Sequence, residues 1–449
     1  MKLTTRVFLV AGLAGAFFGG AQALAASGDL FGNPQFYGAA SGFATAAGDF
    51  DGDGDTDLVI TNPPKRDGFG QIVSHGDYVL YRNNPMTGMF TAETIDADHG
   101  GYAIVASDLN GDHILDLVSS NTIDAAGNVT NVLIGNGDGT FAPIVSYGGS
   151  NDGARAIALG DMDNDGDLDI VLPNGGRVLL NNGDGTFATN FGGSDVQAGG
   201  SITLGDINED GHLDIVTSRD FYNPNLHTVS VQFGVGDGFG NPGPSQDLNI
   251  GGDSPHAVRL ADVNNDMHLD LVTINQASID ASVLLGDGSG IFSAPATFPS
   301  HPNNNSLPNV FLLADLDADG NLDAAVTSTV FGAGTSQQET VIYLGDGNGS
   351  FTLEQIVERF GLHDQNIVAA TINDDAQLDL VNAAHLLYNQ MGSDCPPDIN
   401  GDGDADVADF FAFVLAFAAG DPAADVNGDG SIDVGDFFAF VAAFAAGCP

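Results

Sequence analysis

The chain of 449 residues contains no tryptophan and only two cysteines, and it sets ten lysine or arginine residues against 60 aspartate or glutamate. So little positive charge excludes an electrostatic nucleic-acid binder, because phosphate contacts need clustered Lys and Arg. It also argues against docking on anionic membranes. Past the N-terminus, no stretch is long and apolar enough to span a bilayer. There is no H-E-x-x-H pair, G-x-S-x-G elbow, cysteine nucleophile or phosphate-binding loop. What is present is a 43% apolar chain with 62 glycines and a formal net charge of −50. That composition supports a sizeable core rather than disorder, with many tight turns and room for cation sites.

The first 25 residues read as a secretory signal peptide. Lys2 and Arg6 form a basic start, Val7 to Phe18 is a short apolar run, and Ala21-Gln22-Ala23 and Ala23-Leu24-Ala25 are cleavage patterns. The competing reading, an N-terminal anchor, needs a longer apolar span. An exported protein meets an oxidising, calcium-rich environment, and no transmembrane span would remain after cleavage.

A repeat governs most of the remaining chain. Asp49, Asp51, Asp53 and Asp57 occupy positions 1, 3, 5 and 9 of a loop ahead of Leu58-Val59-Ile60. The pattern recurs as Asp108, Asn110, Asp112, Asp116; Asp161, Asp163, Asp165, Asp169; Asp206, Asn208, Asp210, Asp214; Asp262, Asn264, Asp266, Asp270; and Asp315, Asp317, Asp319, Asp323. A decayed seventh copy holds Thr371, Asn373, Asp375 and Asp379. Successive copies start 45 to 59 residues apart, close to one four-stranded propeller blade. Short apolar runs flank each loop, and Gly-Asp-Gly turns such as Asn136-Gly137-Asp138-Gly139-Thr140-Phe141 mark hairpins. The seventh unit lacks a fourth strand, whereas Phe31 to Tyr37 resembles a spare one. The two ends together predict a closed ring.

Oxygen-bearing residues at alternate positions of a tight turn converge on one point. Calcium takes six to eight oxygens in flexible geometry, which such a loop supplies with help from a position-7 carbonyl, while magnesium demands a strict octahedron. Solvated acidic turns would explain one copy but not six with donors at the same four positions. His113 and Met267 replace the usual position-6 glycine, so those two turns are expected to differ or to be strained. The seventh loop, with only Asp375 and Asp379 as carboxylates, is expected to be weak or empty.

The Asp-x-Asp-x-Asp-Gly-x-x-Asp loops with their Gly-Asp-Gly-x-Phe turns resemble FG-GAP/VCBS repeats, the units of integrin α-chain-like propellers, over residues 30–391. The resemblance implies an all-β, seven-bladed propeller with about six calcium ions held in loops on one face. It implies adhesion or ligand binding, of an extracellular protein or a glycan, although some members are lyases or other sugar-active enzymes.

Residues 395–449 are different. Asp398, Asn400, Asp402, Asp406 and Asp409 fall at positions 1, 3, 5, 9 and 12 of a loop that repeats as Asp425, Asn427, Asp429, Asp433 and Asp436. This is an EF-hand arrangement with Asp at position 12. An apolar helical segment follows each loop, and 409–420 and 436–447 differ only at Leu415 and Ala442. The module resembles a type I dockerin, a small α-helical EF-hand-like unit that implies two calcium ions and a cohesin-like or surface-scaffold partner. Its family recognition positions, often hydroxyl residues, are Val407-Ala408 and Val434-Gly435 here. The phenylalanines of the two helices are either mutually buried or a partner surface; the sequence leaves both open. Cys395 and Cys448 bracket the module and are expected to pair in an exported protein.

Ligand positions account for 31 of the 60 acidic residues. For catalysis, Lys65, Arg66 and His75 in the insertion 62–76 are the best candidates for a base near calcium. A solvated loop explains them as well. The sequence therefore favours a non-catalytic, secreted binding or adhesion propeller, extracellular and attached at a surface or complex. The alternative is a carbohydrate-active enzyme, a polysaccharide lyase or glycoside hydrolase, or its accessory subunit.

Overall fold

The structure, a computed structural model, describes residues 30–31, 35–36, 44–62, 65–66, 72–74, 76–84, 90–96, 101–121, 129–148, 156–173, 177–190, 199–219, 227–236, 242–331, 336–359, 367–372, 377–382, 385–389, 407–419, 424, 432 and 434–446. The expected signal peptide lies outside them, as does His75.

Seven four-stranded antiparallel sheets form the bulk of the described residues. Blade 1 runs Ala44–Gly48, Asp57–Asn62, Asp77–Arg82, Thr91–Asp96. Five further blades repeat the order along the chain up to Arg359. Blade 7 takes three strands from the chain's later part, Val368–Ala370, Asp379–Val381 and His385–Leu387. Its fourth is Gln35–Phe36, with Gln35 opposite Leu386 and Phe36 opposite His385. A bridge between Phe31 and Asn389 extends that pairing. The expected closure of the ring by an N-terminal strand is therefore the observed topology, and it leaves no blade with a missing partner strand.

The second strand of each blade shows why the sequence runs apolar without alternation. Its successive side chains point to opposite faces, and in a propeller both faces meet a neighbouring blade. Leu58 and Ile60 pack with Val381 and Leu386 of blade 7, while Val59 packs with Ile104 and Leu117 of blade 2. Leu380 then faces blade 6 and Val381 faces blade 1. The core is thus seven apolar wedges, one at each blade boundary, instead of a single central mass. Around the axis, Thr45, Ile104, Leu313 and Val368 help line a cavity of about 300 Å³.

Register places the acidic loops identically. The residue before position 1 always pairs with position 9: Gly48 with Asp57, Ser107 with Asp116, Gly160 with Asp169, Gly205 with Asp214, Ala261 with Asp270, Ala314 with Asp323 and Ala370 with Asp379. Where that residue is glycine, in blades 1, 3 and 4, the position-8 side chain of the next loop lies over it. A Cβ on Gly48 would meet Leu115 Cδ1 at 2.3 Å.

Two helices, α1 (Val407–Ala419) and α2 (Val434–Ala446), follow the propeller. Phe413 and Phe440, equivalent residues of the two repeats, are fully buried and stacked with ring centroids 4.3 Å apart. Phe411 and Phe438, also equivalent, are 61% and 66% exposed. Mutual burial therefore holds for Phe413 and Phe440, while Phe411 and Phe438 stand exposed on another helix face. The loops expected to precede them, 398–406 and 425–431, lie outside the described residues.

Phe31 is fully buried in the wedge between blades 6 and 7, and its main-chain N–H and C=O both bond the Gln355 side chain, at 2.8 and 2.7 Å. Phe31→Ala should lower the unfolding free energy by about 3–5 kcal/mol in chemical denaturation. A loss under about 0.5 kcal/mol, the size of a surface change, would mean that this segment is not part of the closed core.

Candidate functional site

Position 9 is the most buried carboxylate of each acidic loop. Asp57, Asp116, Asp169, Asp214, Asp270, Asp323 and Asp379 all have no exposed surface. In every copy one oxygen accepts the main-chain N–H of position 2, from Phe50, Leu109, Met162, Ile207, Val263, Leu316 or Ile372, at 2.7 to 3.3 Å. The other oxygen accepts an N–H at or just past the end of the third strand, from Asn83, Gly135, Asn181, Gly234, Gly286, Gly345 or Asn389, at 2.7 to 2.8 Å. The decayed seventh loop keeps both bonds. This carboxylate pins the loop to its own blade, whatever else it binds.

The position-2 carbonyl then reaches the next blade. Asn181, Asn389 and Asn83 donate side-chain Nδ2 to Leu109, Leu316 and Ile372 oxygens, each at 2.7 Å. Where a glycine replaces that asparagine, a turn glycine takes over: Gly139, Gly290 and Gly349 donate N–H to Phe50, Ile207 and Val263 at 2.9 to 3.2 Å. For Met162 the corresponding turn, residues 237–241, lies outside the described residues. Sequence reasoning missed this belt and the small residue before each loop. The signal was present as Gly, Ser or Ala ahead of every position-1 residue and as Asn or Gly after every third strand.

Positions 1, 3 and 5 shape the outer turn. The position-1 carboxylate accepts the N–H of position 6 in all six intact loops, as Asp49 does from Gly54 at 3.1 Å and Asp262 from Met267 at 2.7 Å. Position 5 accepts the N–H of position 7, as Asp53 does from Asp55 at 3.0 Å. His113 and Met267 adopt φ of 69° and 72°, the left-handed region used by the glycines they replace. These two turns are strained as expected, but they are not rearranged.

The six intact loops fall into two chemical classes. With asparagine at position 3, the amide donates to the position-5 carboxylate: Asn110 to Asp112, Asn208 to Asp210 and Asn264 to Asp266, at 2.9 to 3.0 Å. With aspartate there, carboxylates crowd one another. Ligand atoms of Asp49, Asp51 and Asp53, of Asp161, Asp163 and Asp169, and of Asp315, Asp317 and Asp323 lie within 4.8 Å of one another. In blade 1 the Arg82 guanidinium meets Asp51 at 2.5 Å. In blades 3 and 6 no such cation enters, and buried oxygens Asp163 Oδ1 and Asp315 Oδ1 have no hydrogen-bond donor among the described residues. Burial, with crowding by Asp165 and Asp319 respectively, raises the Asp163 and Asp317 carboxyls above their usual range. An undonated, desolvated carboxylate oxygen among others is a site short of positive charge. The donor set of blades 3 and 6, all oxygen, fits a hard divalent cation.

Of the other candidate residues, Asp409 and Asp436 lie within α1 and α2, and Asp436 is buried. Asp398, Asn400, Asp402, Asp406, Asp425, Asn427, Asp429 and Asp433 lie outside the described residues, as do Asn373, Asp375, Cys395 and Cys448. Lys65–Arg66 forms a two-residue strand paired with Ile72–Ser74. No described helix is long and apolar enough to cross a membrane.

A family model for FG-GAP-like repeats matches residues 122–172, 173–217 and 262–326, and one for the FG-GAP repeat matches 41–75. No curated protein matches the chain. Among solved structures, the chain is similar to the Photorhabdus luminescens Tc holotoxin pore, with 15% identity over 74% of this chain and a TM-score of 0.35; it spans 16% of that chain. It is similar to the Pseudomonas aeruginosa periplasmic gluconolactonase, with 16% identity, 80% and 99% of the two chains covered and a TM-score of 0.46. It is also similar to the Bacillus licheniformis rhamnogalacturonan lyase, with 12% identity, 84% and 75% covered and a TM-score of 0.44. At such levels these likenesses carry no argument about activity.

Two outcomes are expected of the position-9 residues. Asp379→Asn should cost about 2–3 kcal/mol of stability in chelator and in calcium alike, because an amide nitrogen would face a main-chain donor. A cost seen only in calcium would contradict the clamp. Burial also pushes Asp57, Asp214, Asp270 and Asp323 up to about 6 and Asp169 up to about 7. An acid whose folded pKa exceeds its unfolded value near ~3.9 holds its proton more tightly when folded, so stability falls as pH rises through the folded pKa. His268, raised by its bond to Glu209, acts in the same sense. Free of divalent cations, the protein should melt at a lower temperature at pH 8 than at pH 5, and the opposite order would contradict the assignment.

Proposed function

Because the chain is an FG-GAP-repeat β-propeller, we propose that it is a secreted, calcium-dependent binding or adhesion module, attached to a surface or extracellular complex through its C-terminal helices. The observation that carries the cation part is the pair of buried, undonated oxygens, Asp163 Oδ1 and Asp315 Oδ1, inside three-carboxylate clusters. Calcium would be held by the position 1, 3, 5 and 9 side chains of blades 1 to 6, and it supplies the positive charge that those clusters lack. Two further ions belong to the C-terminal loops. With so acidic a surface, the propeller's ligand is an extracellular protein or glycan and not a nucleic acid.

The C-terminal module offers Phe411, Leu415 and Phe438 as exposed apolar residues for a cohesin-like or surface-scaffold partner. No lysine or arginine follows Arg359, so a favourable partner brings an apolar centre and a neutral or basic rim. Lys65, Arg66 and His75, the candidates for a sugar-active reading, have no described side chains.

Calorimetric titration of the chelated full chain should show more than two calcium ions bound, with loops 3 and 6 ahead of loop 1, where Arg82 already meets Asp51. Calcium at about 100 times Kd should add about 2.7 kcal/mol of stability per site. Two or fewer ions per chain would contradict the reading. A glycan array with and without calcium, beside a lyase and hydrolase screen, tests the rest. Turnover abolished by Lys65→Ala or His75→Ala would replace it with the enzyme.

A further inference from the structure

The acidic loops of neighbouring blades touch through side chains that no cation-binding role requires. Position 4 of each intact loop lies in the left-handed region, between the donors at positions 3 and 5. Glycine occupies it in blades 1 and 2, as Gly52 and Gly111 with φ of 78° and 76°. In blades 3, 4 and 5 it is Asn164, Glu209 and Asn265, with φ of 63°, 56° and 61°. An L residue pays a steric cost there that glycine avoids. Each of these side chains reaches position 7 of the following loop. Asn164 Nδ2 meets His212 Nδ1 at 2.6 Å and donates to the Gly211 carbonyl at 3.2 Å. His268 Nδ1 meets Glu209 Oε1 at 2.6 Å. Asn265 Nδ2 donates to Asn321 Oδ1 at 2.8 Å.

Position 7 is itself tied to the donor set. His212, His268 and Asn321 each give their main-chain N–H to the position-5 carboxylate of their own loop, at 2.7 to 3.0 Å. Each bridge therefore runs from the donor-bearing turn of one loop to that of the next. Three bridges join four loops in series, from blade 3 to blade 6. The run stops at Ala318, whose methyl group has nothing to donate or accept, and it never starts in blades 1 and 2, where position 4 has no side chain.

We infer that loops 3 to 6 bind cations as a coupled series, in which ordering one loop favours the next through the Asn164–His212, Glu209–His268 and Asn265–Asn321 bridges, while loops 1 and 2 bind independently. The inference rests on the calcium reading above. A loop fixed by its ion holds position 7, position 7 holds the position-4 side chain of the preceding loop, and that residue stands between two donors. Coupling of this kind is reciprocal, so it runs both ways along the series.

The test is hydrogen exchange of the full chain across a calcium titration, with Asp266→Asn used to disable loop 5. The calcium midpoint for protection of 206–214 and 315–323 should rise about two- to fivefold, the range an exposed bonded pair transmits, while 49–57 keeps its wild-type midpoint. Glu209→Ala alone should raise the midpoint of 206–214 to a similar extent, and adding it to Asp266→Asn should shift 206–214 no further, because the bridge through which loop 5 acts is already silent, while 315–323 stays shifted because Asn265 still bridges to Asn321. Unchanged midpoints at both neighbours, or an equal shift at 49–57, overturns the inference while leaving the calcium reading intact. Absence of calcium-dependent protection in every wild-type loop overturns both.

Discussion

A buried carboxylate that accepts two main-chain N–H groups is the interaction on which this ring depends. Placing a charge with no exposed surface is costly, and it persists only where charge-assisted bonds replace the lost water. The position-9 aspartate meets that condition seven times over, with one oxygen on the start of its loop and the other on the end of the third strand. It thereby fixes the loop, the second strand and the third strand to one another within a blade. The position-2 residue extends the same fastening outward, since its N–H goes to its own blade and its C=O accepts from the next. Asp379 shows that this arrangement stands without a full acidic loop. Thr371 has taken position 1 there, and the clamp is intact.

From that fastening the other features of the ring are built up in order. The wedges between blades need apolar side chains on both faces of the second strand, which is why Leu58, Val59 and Ile60 run without a polar interruption. The loops must approach the neighbouring blade closely, which is why Gly48, Gly160 and Gly205 precede them and why Leu115, Leu213 and Leu269 lie against those glycines. The outer turn is then free to gather carboxylates, because its backbone is already held from beneath. Where asparagine stands at position 3 the gathered charge is partly relieved from within. Where aspartate stands there, relief comes from Arg82 in blade 1, and in blades 3 and 6 no described cation supplies it.

Much of this was legible in the sequence. The recurrence of the loops gave the number of blades, and the spare strand around Phe31 predicted how the ring closes, because a missing strand at one end and an extra one at the other have one simple solution. The division of labour among the aspartates was not legible. Asp53 and Asp57 are the same residue type in the same motif, and only register and burial separate an outer donor from an inner clamp. The exchange of Asn181 for a turn glycine such as Gly139 was also hidden, since two unlike residues at different positions reach equivalent carbonyls. In the helical pair, nearly identical repeats gave no hint of which phenylalanine turns inward. Helix geometry and the pairing of two copies decide it, placing Phe413 against Phe440 and leaving Phe411 and Phe438 outside.

The position-9 carboxylate thus fastens the fold whether or not it also serves an ion, while on the calcium reading the outer carboxylates serve the ion. Native-state hydrogen exchange at the seven position-2 amides, Phe50, Leu109, Met162, Ile207, Val263, Leu316 and Ile372, tests this division most directly. In chelator, all seven should remain among the slowest-exchanging amides of the chain, Ile372 included, while the amides of positions 4 to 7 exchange freely. Rapid exchange at the position-2 amides once divalent ions are removed would contradict it and make the ion, not the buried aspartate, the fastening of the ring.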